Sequence, residues 1–141
     1  MNPDRAIEVL VVEDNPGDVR LMREALKEAR LAHTLTVYGN GTEALDRLFR
    51  PDLPRPDLIL LDLNLPGMDG REVLRRVKSD ERLRRIPLVV LTSSDAEEDV
   101  ARAYHLHANC YITKPVDFDQ FIRVIRSIED FWLNLARLPA G

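Results

Sequence analysis

Leu58-Ile59-Leu60-Leu61-Asp62-Leu63-Asn64-Leu65-Pro66-Gly67-Met68-Asp69-Gly70 is a short apolar run that stops at a carboxylate and passes into a turn. An unbroken run of this kind suits a strand buried on both faces, and Pro66-Gly67 and Asp69-Gly70 punctuate the segment after the carboxylate. Glu13 and Asp14 end an earlier apolar strand in the same way. A further strand, Ile86-Pro87-Leu88-Val89-Val90-Leu91, stops at the hydroxyl pair Thr92-Ser93, and another stops at Lys114-Pro115. If these strands are parallel neighbours, all four endings lie along one edge of one sheet. That edge then holds acids, a hydroxyl and an ammonium, a set suited to a divalent cation and a phosphoryl group.

Outward from this stretch, short runs rich in Val, Ile and Leu alternate with longer amphipathic segments. The pattern predicts an α/β, doubly wound fold, with a parallel sheet and helices on both faces. Strands are expected at about 6–12, 34–38, 57–62, 86–92 and 109–113. A first helix starts at Pro16 after Asn15, with Leu21, Ala25, Leu26 and Ala29 as its apolar face. Gly41-Thr42 opens a second through Leu45, Leu48 and Phe49, and Pro51, Pro54 and Pro56 then make a connection that cannot be helical. A third helix follows Asp69-Gly70 with Val73, Leu74 and Val77, and a fourth follows Ser94-Asp95 with Val100, Ala103 and Tyr104.

The last helix is expected from about Asp117 to Leu135. Phe121, Ile125, Ile128, Trp132 and Leu135 form one stripe along it, while Ile122, Phe131 and Leu133 fall beside or off that stripe. The helix thus carries more apolar surface than one sheet face would cover. Phe131, Trp132 and Leu133 are the expected partner surface, and folding back onto the same domain is the alternative.

A length of 141 residues suits one compact domain, so a single domain over 1–141 with an extended C-terminal helix and no effector domain is expected. Twenty-four acidic against twenty basic residues give a net charge of −4, and the basic residues are scattered among acids. That argues against nucleic acid, whose binding rests on focused positive charge. The lone cysteine, Cys110, has no partner for an internal disulfide and no metal-ligand companions, which suits a reducing cytoplasm. The apolar run after Met1-Asn2-Pro3-Asp4-Arg5 is too short for a signal-peptide core or a membrane span. A soluble, cytoplasmic protein is expected.

In open parallel sheets the ligand site lies beyond the carboxyl ends of the strands, where the loops diverge. Glu13, Asp14 and Asp62 fall there. Crowded acids repel, so such a site favours a divalent cation or a raised pKa on one acid. Hard oxygen ligands suit Mg²⁺, and with no histidine or cysteine nearby zinc and copper fit poorly. Asp14 or Asn15 could instead simply cap the next helix. Asp62 is either a further oxygen donor or a nucleophile toward phosphorus. Lys114 and the Thr92 hydroxyl would complete the cradle; taken singly, one is a surface lysine and the other a helix cap.

The chain resembles the receiver domains of two-component response regulators over nearly its whole length. The matching pieces are Val11-Val12-Glu13-Asp14-Asn15, Leu61 to Gly70, Leu91-Thr92-Ser93 and Tyr111-Ile112-Thr113-Lys114-Pro115. The resemblance implies a five-stranded, flavodoxin-like fold with Asp62 as phosphoacceptor for a histidine kinase. It implies Mg²⁺ held by Glu13, Asp14, Asp62 and the Asn64 backbone carbonyl, with Lys114 on the phosphoryl group and a cis Lys114-Pro115 peptide. It further implies a switch in which the Thr92 hydroxyl moves toward the phosphate and Tyr111 fills the vacated space, altering the surface of the fourth helix, fifth strand and fifth helix. Glu13 departs from the commoner aspartate at its position.

Within that family the chain is most similar to stand-alone regulators of phytochrome-type histidine kinases, through Asn109-Cys110-Tyr111-Ile112-Thr113-Lys114-Pro115 and Ser127-Ile128-Glu129-Asp130-Phe131-Trp132-Leu133. Such relatives tend to dimerise through the last helix and its neighbours, so the resemblance implies a homodimer. A phosphohydrolase of the haloacid-dehalogenase type would share the aspartyl-phosphate chemistry, but its motif carries a second aspartate where this chain has Asn64. A pseudo-receiver would lack acceptor or metal groups, and here none is missing. Output is then expected through protein contact, phosphate relay or drainage of phosphate from the kinase.

Overall fold

The computed structural model describes residues 6–30, 32–93, 110–114 and 117–128. Its five strands are β1 (Ile7–Val12), β2 (His33–Tyr38), β3 (Leu58–Asp62), β4 (Leu88–Thr92) and β5 (Cys110–Thr113). All pair in parallel, in the order β2-β1-β3-β4-β5, the doubly wound, flavodoxin-like arrangement expected from the alternating pattern. β4 starts at Leu88 and not at Ile86. Pro87 has no N–H to give the ladder, although its carbonyl accepts from the Ile59 N–H at 3.0 Å.

Successive strand residues point to opposite faces, and the core divides accordingly. Val9, Val11, Leu58, Leu60, Val89, Leu91 and Ile112 pack on one face with Met22, Ala25 and Leu26 of α1 (Pro16–Glu28). Phe121, Ile122 and Ile125 of the C-terminal helix (Phe118–Ile128) join them. Leu10, Val12, Ile59, Leu61, Leu88 and Val90 pack on the other face with Ala44, Leu45 and Leu48 of α2 (Gly41–Leu48) and Val73, Leu74 and Val77 of α3 (Gly70–Lys78). Each such Val, Leu, Ile, Phe or Met side chain, fully buried, contributes roughly 1.5–3 kcal/mol.

Caps set the helix phases. The Asn15, Asn40 and Asp69 side chains accept from the N–H groups of Asp18, Glu43 and Arg71 at 3.1, 2.9 and 2.8 Å. Starting from Asn15, α1 turns Met22 fully inward and leaves Leu21 half-buried, where the sequence pattern points to Leu21. Phe49 ends α2 as its C-cap and is 45 % exposed, so it is not part of the apolar face. Ile122 is buried, contrary to expectation, because the C-terminal helix packs on α1 as well as on the sheet. His33 opens β2 half-buried. The helix expected after Ser94-Asp95, His105, His107, Pro115 with its peptide bond, and Phe131, Trp132 and Leu133 lie outside the described residues.

Arg82 closes the connection between the two halves of the second face. Its guanidinium donates to the carbonyls of Leu48 at 3.0 Å and Leu53 at 2.8 Å, answering the C-terminal end of α2 and the proline-rich segment beyond it. Arg82→Ala is expected to lower stability by about 1–2 kcal/mol, the cost of stranding those acceptors. Urea unfolding measures it, with a lower midpoint and an unchanged slope as the expected result.

Candidate functional site

Sheet register explains why the four strand ends meet. Val12 pairs with Leu61, Asp62 with Leu91, and Thr92 with Thr113. The residues at or just beyond these pairs, Glu13, Asp62, Thr92 and Lys114, therefore crowd one edge. The backbone holds them there: Glu13 N–H donates to Tyr38 at 2.9 Å, Leu63 N–H to Leu91 at 3.2 Å and Lys114 N–H to Thr92 at 2.7 Å.

Alternation then sorts their side chains. Glu13 continues the parity of Val9 and Val11, Asp62 that of Leu58 and Leu60, and Lys114 that of Ile112, all on the α1 face. Thr92 and Tyr111 share the opposite parity, on the face of α2 and α3. On the α1 side the Lys114 ammonium lies 2.5 Å from Glu13, 2.6 Å from Asp18 and 3.2 Å from Asp62. Its side chain is only 14 % exposed, so it is no solvated surface lysine.

The turn after β3 is built by close approach. The Gly70 N–H donates to the Leu63 carbonyl at 3.1 Å, and a Cβ on Gly70 would sit 2.4 Å from the Asp62 carbonyl oxygen. The Asn64 N–H donates to an Asp62 carboxylate oxygen at 2.9 Å, which orients the acid. The Asn64 amide reaches the Thr92 hydroxyl at 2.5 Å and the Ser93 hydroxyl at 3.1 Å. Buried Thr92 thus accepts a bond from the β3 turn, which the sequence alone does not suggest. Asn15, not Asp14, caps α1, which leaves Asp14 exposed at the mouth of the site.

Ligand oxygens of Glu13, Asp14 and Asp62 lie within 4.8 Å of one another. Burial pushes the Glu13 carboxyl up from 4.5 to about 7, with help from the Asp62 charge and against the Lys114 and Asn15 hydrogen bonds. Burial alone would lower the Lys114 ammonium, but its bonds to Asp18 and Glu13 and the Asp62 charge prevail and hold it well above the ordinary lysine value. The Lys114 direction reports a pocket rich in negative charge that favours cations, while the Glu13 direction reports first its burial and only then the charge of Asp62. An all-oxygen donor set of this kind fits a hard divalent ion.

Glu13 keeps its proton in the folded, cation-free chain up to about pH 7, whereas the unfolded chain releases it near 4.5. Folding takes up a proton between those values. The Glu13 contribution to stability is therefore full below 4.5 and is lost as pH rises through about 7. Urea unfolding in chelator across this range should show that decline in the native chain relative to Glu13→Gln; parallel pH curves would contradict it.

Residues 9–126 match the family described as response regulator receiver domain. The chain belongs to the response regulator receiver family. The receiver is 46 % identical to "Response regulator Rcp1" of Synechocystis sp., covering 99 % of this chain and 97 % of that protein. It superposes on the phosphorylated cyanobacterial phytochrome response regulator RcpA with a TM-score of 0.79 at 46 % identity, covering 96 % of this chain and all of that one. Against the Mn²⁺-bound form of Rcp1 the TM-score is 0.78 at 45 % identity, over 95 % and 99 % of the two chains. The chain is thus a two-component signalling receiver and not an enzyme of the ordinary kind. Among the described residues no helix is long and apolar enough to cross a membrane.

Sequence reasoning misses Asp18, the second counter-ion of Lys114, and the side-chain role of Asn64. Asp18 stands in the first turn of α1, where an acid is already accounted for by the helix dipole. Strand parity is the available signal, since it turns Lys114 toward α1. Cys110 is half-buried against the first core cluster, and burial pushes its thiol up.

Proposed function

We propose that Asp62 accepts a phosphoryl group from the phosphohistidine of a sensor kinase, an Asp62 oxygen forming the new bond to phosphorus as the bond to the imidazole nitrogen breaks. The observation that carries this reading is Asp62 itself, a buried carboxylate 3.2 Å from a fixed ammonium, with Glu13 and Asp14 alongside. Glu13, Asp14, Asp62 and the Asn64 carbonyl are the residues that would hold Mg²⁺. When bound, the ion offsets the repulsion between two approaching anions. Lys114 neutralises one phosphoryl oxygen and the Thr92 hydroxyl donates to another. Thr92 accepts from Asn64 and so keeps its own proton to donate; as the hydroxyl moves toward the phosphate, Tyr111, on the same sheet face, takes the space. The chemistry is limited to the protein's own phosphorylation and dephosphorylation.

The likeness to a phytochrome response regulator supports a phytochrome-type histidine kinase as partner, in the cytoplasm. The test is intact-mass measurement with a small phosphodonor and Mg²⁺. One phosphoryl group per chain is expected, and an unshifted mass would overturn the reading. The surface of Phe131, Trp132 and Leu133 is proposed to join two copies, in keeping with the altered helix and fifth-strand surface. Sedimentation velocity with and without beryllofluoride should show a dimer that Trp132→Ala weakens about tenfold or more, as loss of a buried aromatic anchor does. An unchanged profile would return these residues to their own domain.

A further inference from the structure

We propose that Asp18 is a positioning residue for Lys114: it takes a share of the ammonium that would otherwise fall wholly to Glu13 and Asp62, and so leaves those carboxylates more open to a divalent cation. An ammonium has three N–H donors, and here three carboxylates share them: Glu13 at 2.5 Å, Asp18 at 2.6 Å and Asp62 at 3.2 Å. Two of the three belong to the acid cluster that could hold a cation, and Asp18 does not. Asp18 is also the only one of them carried by a helix. Its backbone N–H is held by the Asn15 cap at 3.1 Å, and the Asn15 N–H donates in turn to Glu13 at 3.2 Å, so the helix turn that carries Asp18 is fixed against the end of β1.

The ammonium and a divalent cation compete for the same oxygens. With Asp18 present, one N–H and much of the positive charge are satisfied outside the cation's donor set. Without it, Lys114 turns wholly onto Glu13 and Asp62, and a cation entering the site must displace it. Asp18 therefore acts through Lys114 and touches neither the cation nor the phosphoryl group.

A double-mutant cycle read by Mn²⁺ binding, with free Mn²⁺ followed by its paramagnetic resonance, tests this without recourse to phosphorylation. Asp18→Asn is expected to weaken Mn²⁺ binding about fivefold in the native background and by less than about twofold in a Lys114→Met background. Asp18→Glu, which keeps the charge, should recover most of the loss. Urea midpoints for every variant report whether the fold is intact. An equal loss in both backgrounds would reduce Asp18 to one more distant negative charge and overturn the proposal, as would an unaltered Asp18→Asn. The inference rests on the acid cluster being a cation site; a native chain that takes up no Mn²⁺ would overturn both, whereas native binding without coupling overturns only the role of Asp18.

Discussion

Asp62→Asn protein takes up no phosphoryl label from a small phosphodonor in the presence of Mg²⁺, under conditions in which the native chain takes up one group. An amide oxygen carries no charge to attack phosphorus, so the acyl phosphate cannot form. The variant should nonetheless fold. Asn keeps an oxygen able to accept the Asn64 N–H that Asp62 now binds at 2.9 Å. Loss of one carboxylate from the group around Lys114 also relieves the repulsion that helps raise Glu13. Thermal stability in chelator should therefore match or exceed that of the native chain, so that missing label cannot be charged to unfolding. Full labelling of Asp62→Asn would instead pass the acceptor role to Asp14, the exposed acid of the cluster.

The edge that holds this site is legible because each strand ends its apolar run on a group of distinct chemistry. Parallel pairing without a register slip then brings Glu13, Asp62, Thr92 and Lys114 together, as the Val12–Leu61 and Thr92–Thr113 pairs show. The illegible part depends on the phase of elements relative to one another. Met22 replaces Leu21 in the core because the Asn15 cap sets where α1 begins its turns. Ile122 is buried because its helix meets α1 as well as the sheet, so the apolar arc it can cover is wider than one stripe. The Asp18–Lys114 pair spans most of the chain, and neither residue's neighbours hint at the other. Asn64 ordinarily reads as a turn residue bonded to its own backbone, and only the fold shows its amide reaching Thr92 and Ser93.

Gly70→Ala is expected to lower stability by about 3 kcal/mol, the upper part of the range for forcing atoms into a packed site. Helix propensity alone predicts the opposite sign, since alanine is favoured over glycine in a helix by about 1 kcal/mol. Gly70 opens α3 and its φ is not positive, so no conformational need for glycine competes with that gain. The added Cβ, however, would lie 2.4 Å from the Asp62 carbonyl oxygen and 2.5 Å from Leu63 Cα. Both are backbone atoms that a rotamer change cannot move. Relief requires shifting either the start of α3 or the end of β3, and the second displaces Asp62 and Asn64 with it. Gly39→Ala supplies the contrast: nothing lies within 4 Å of its Cβ position, and its stability should stay within about 0.5 kcal/mol of native. Urea midpoints for the two variants separate overlap from chain entropy, and phosphoryl labelling should fall with Gly70→Ala alone. A stable, fully labelled Gly70→Ala would mean that the β3 turn yields at little cost and that Asp62 is held by its neighbours on the sheet instead of by the turn beneath it.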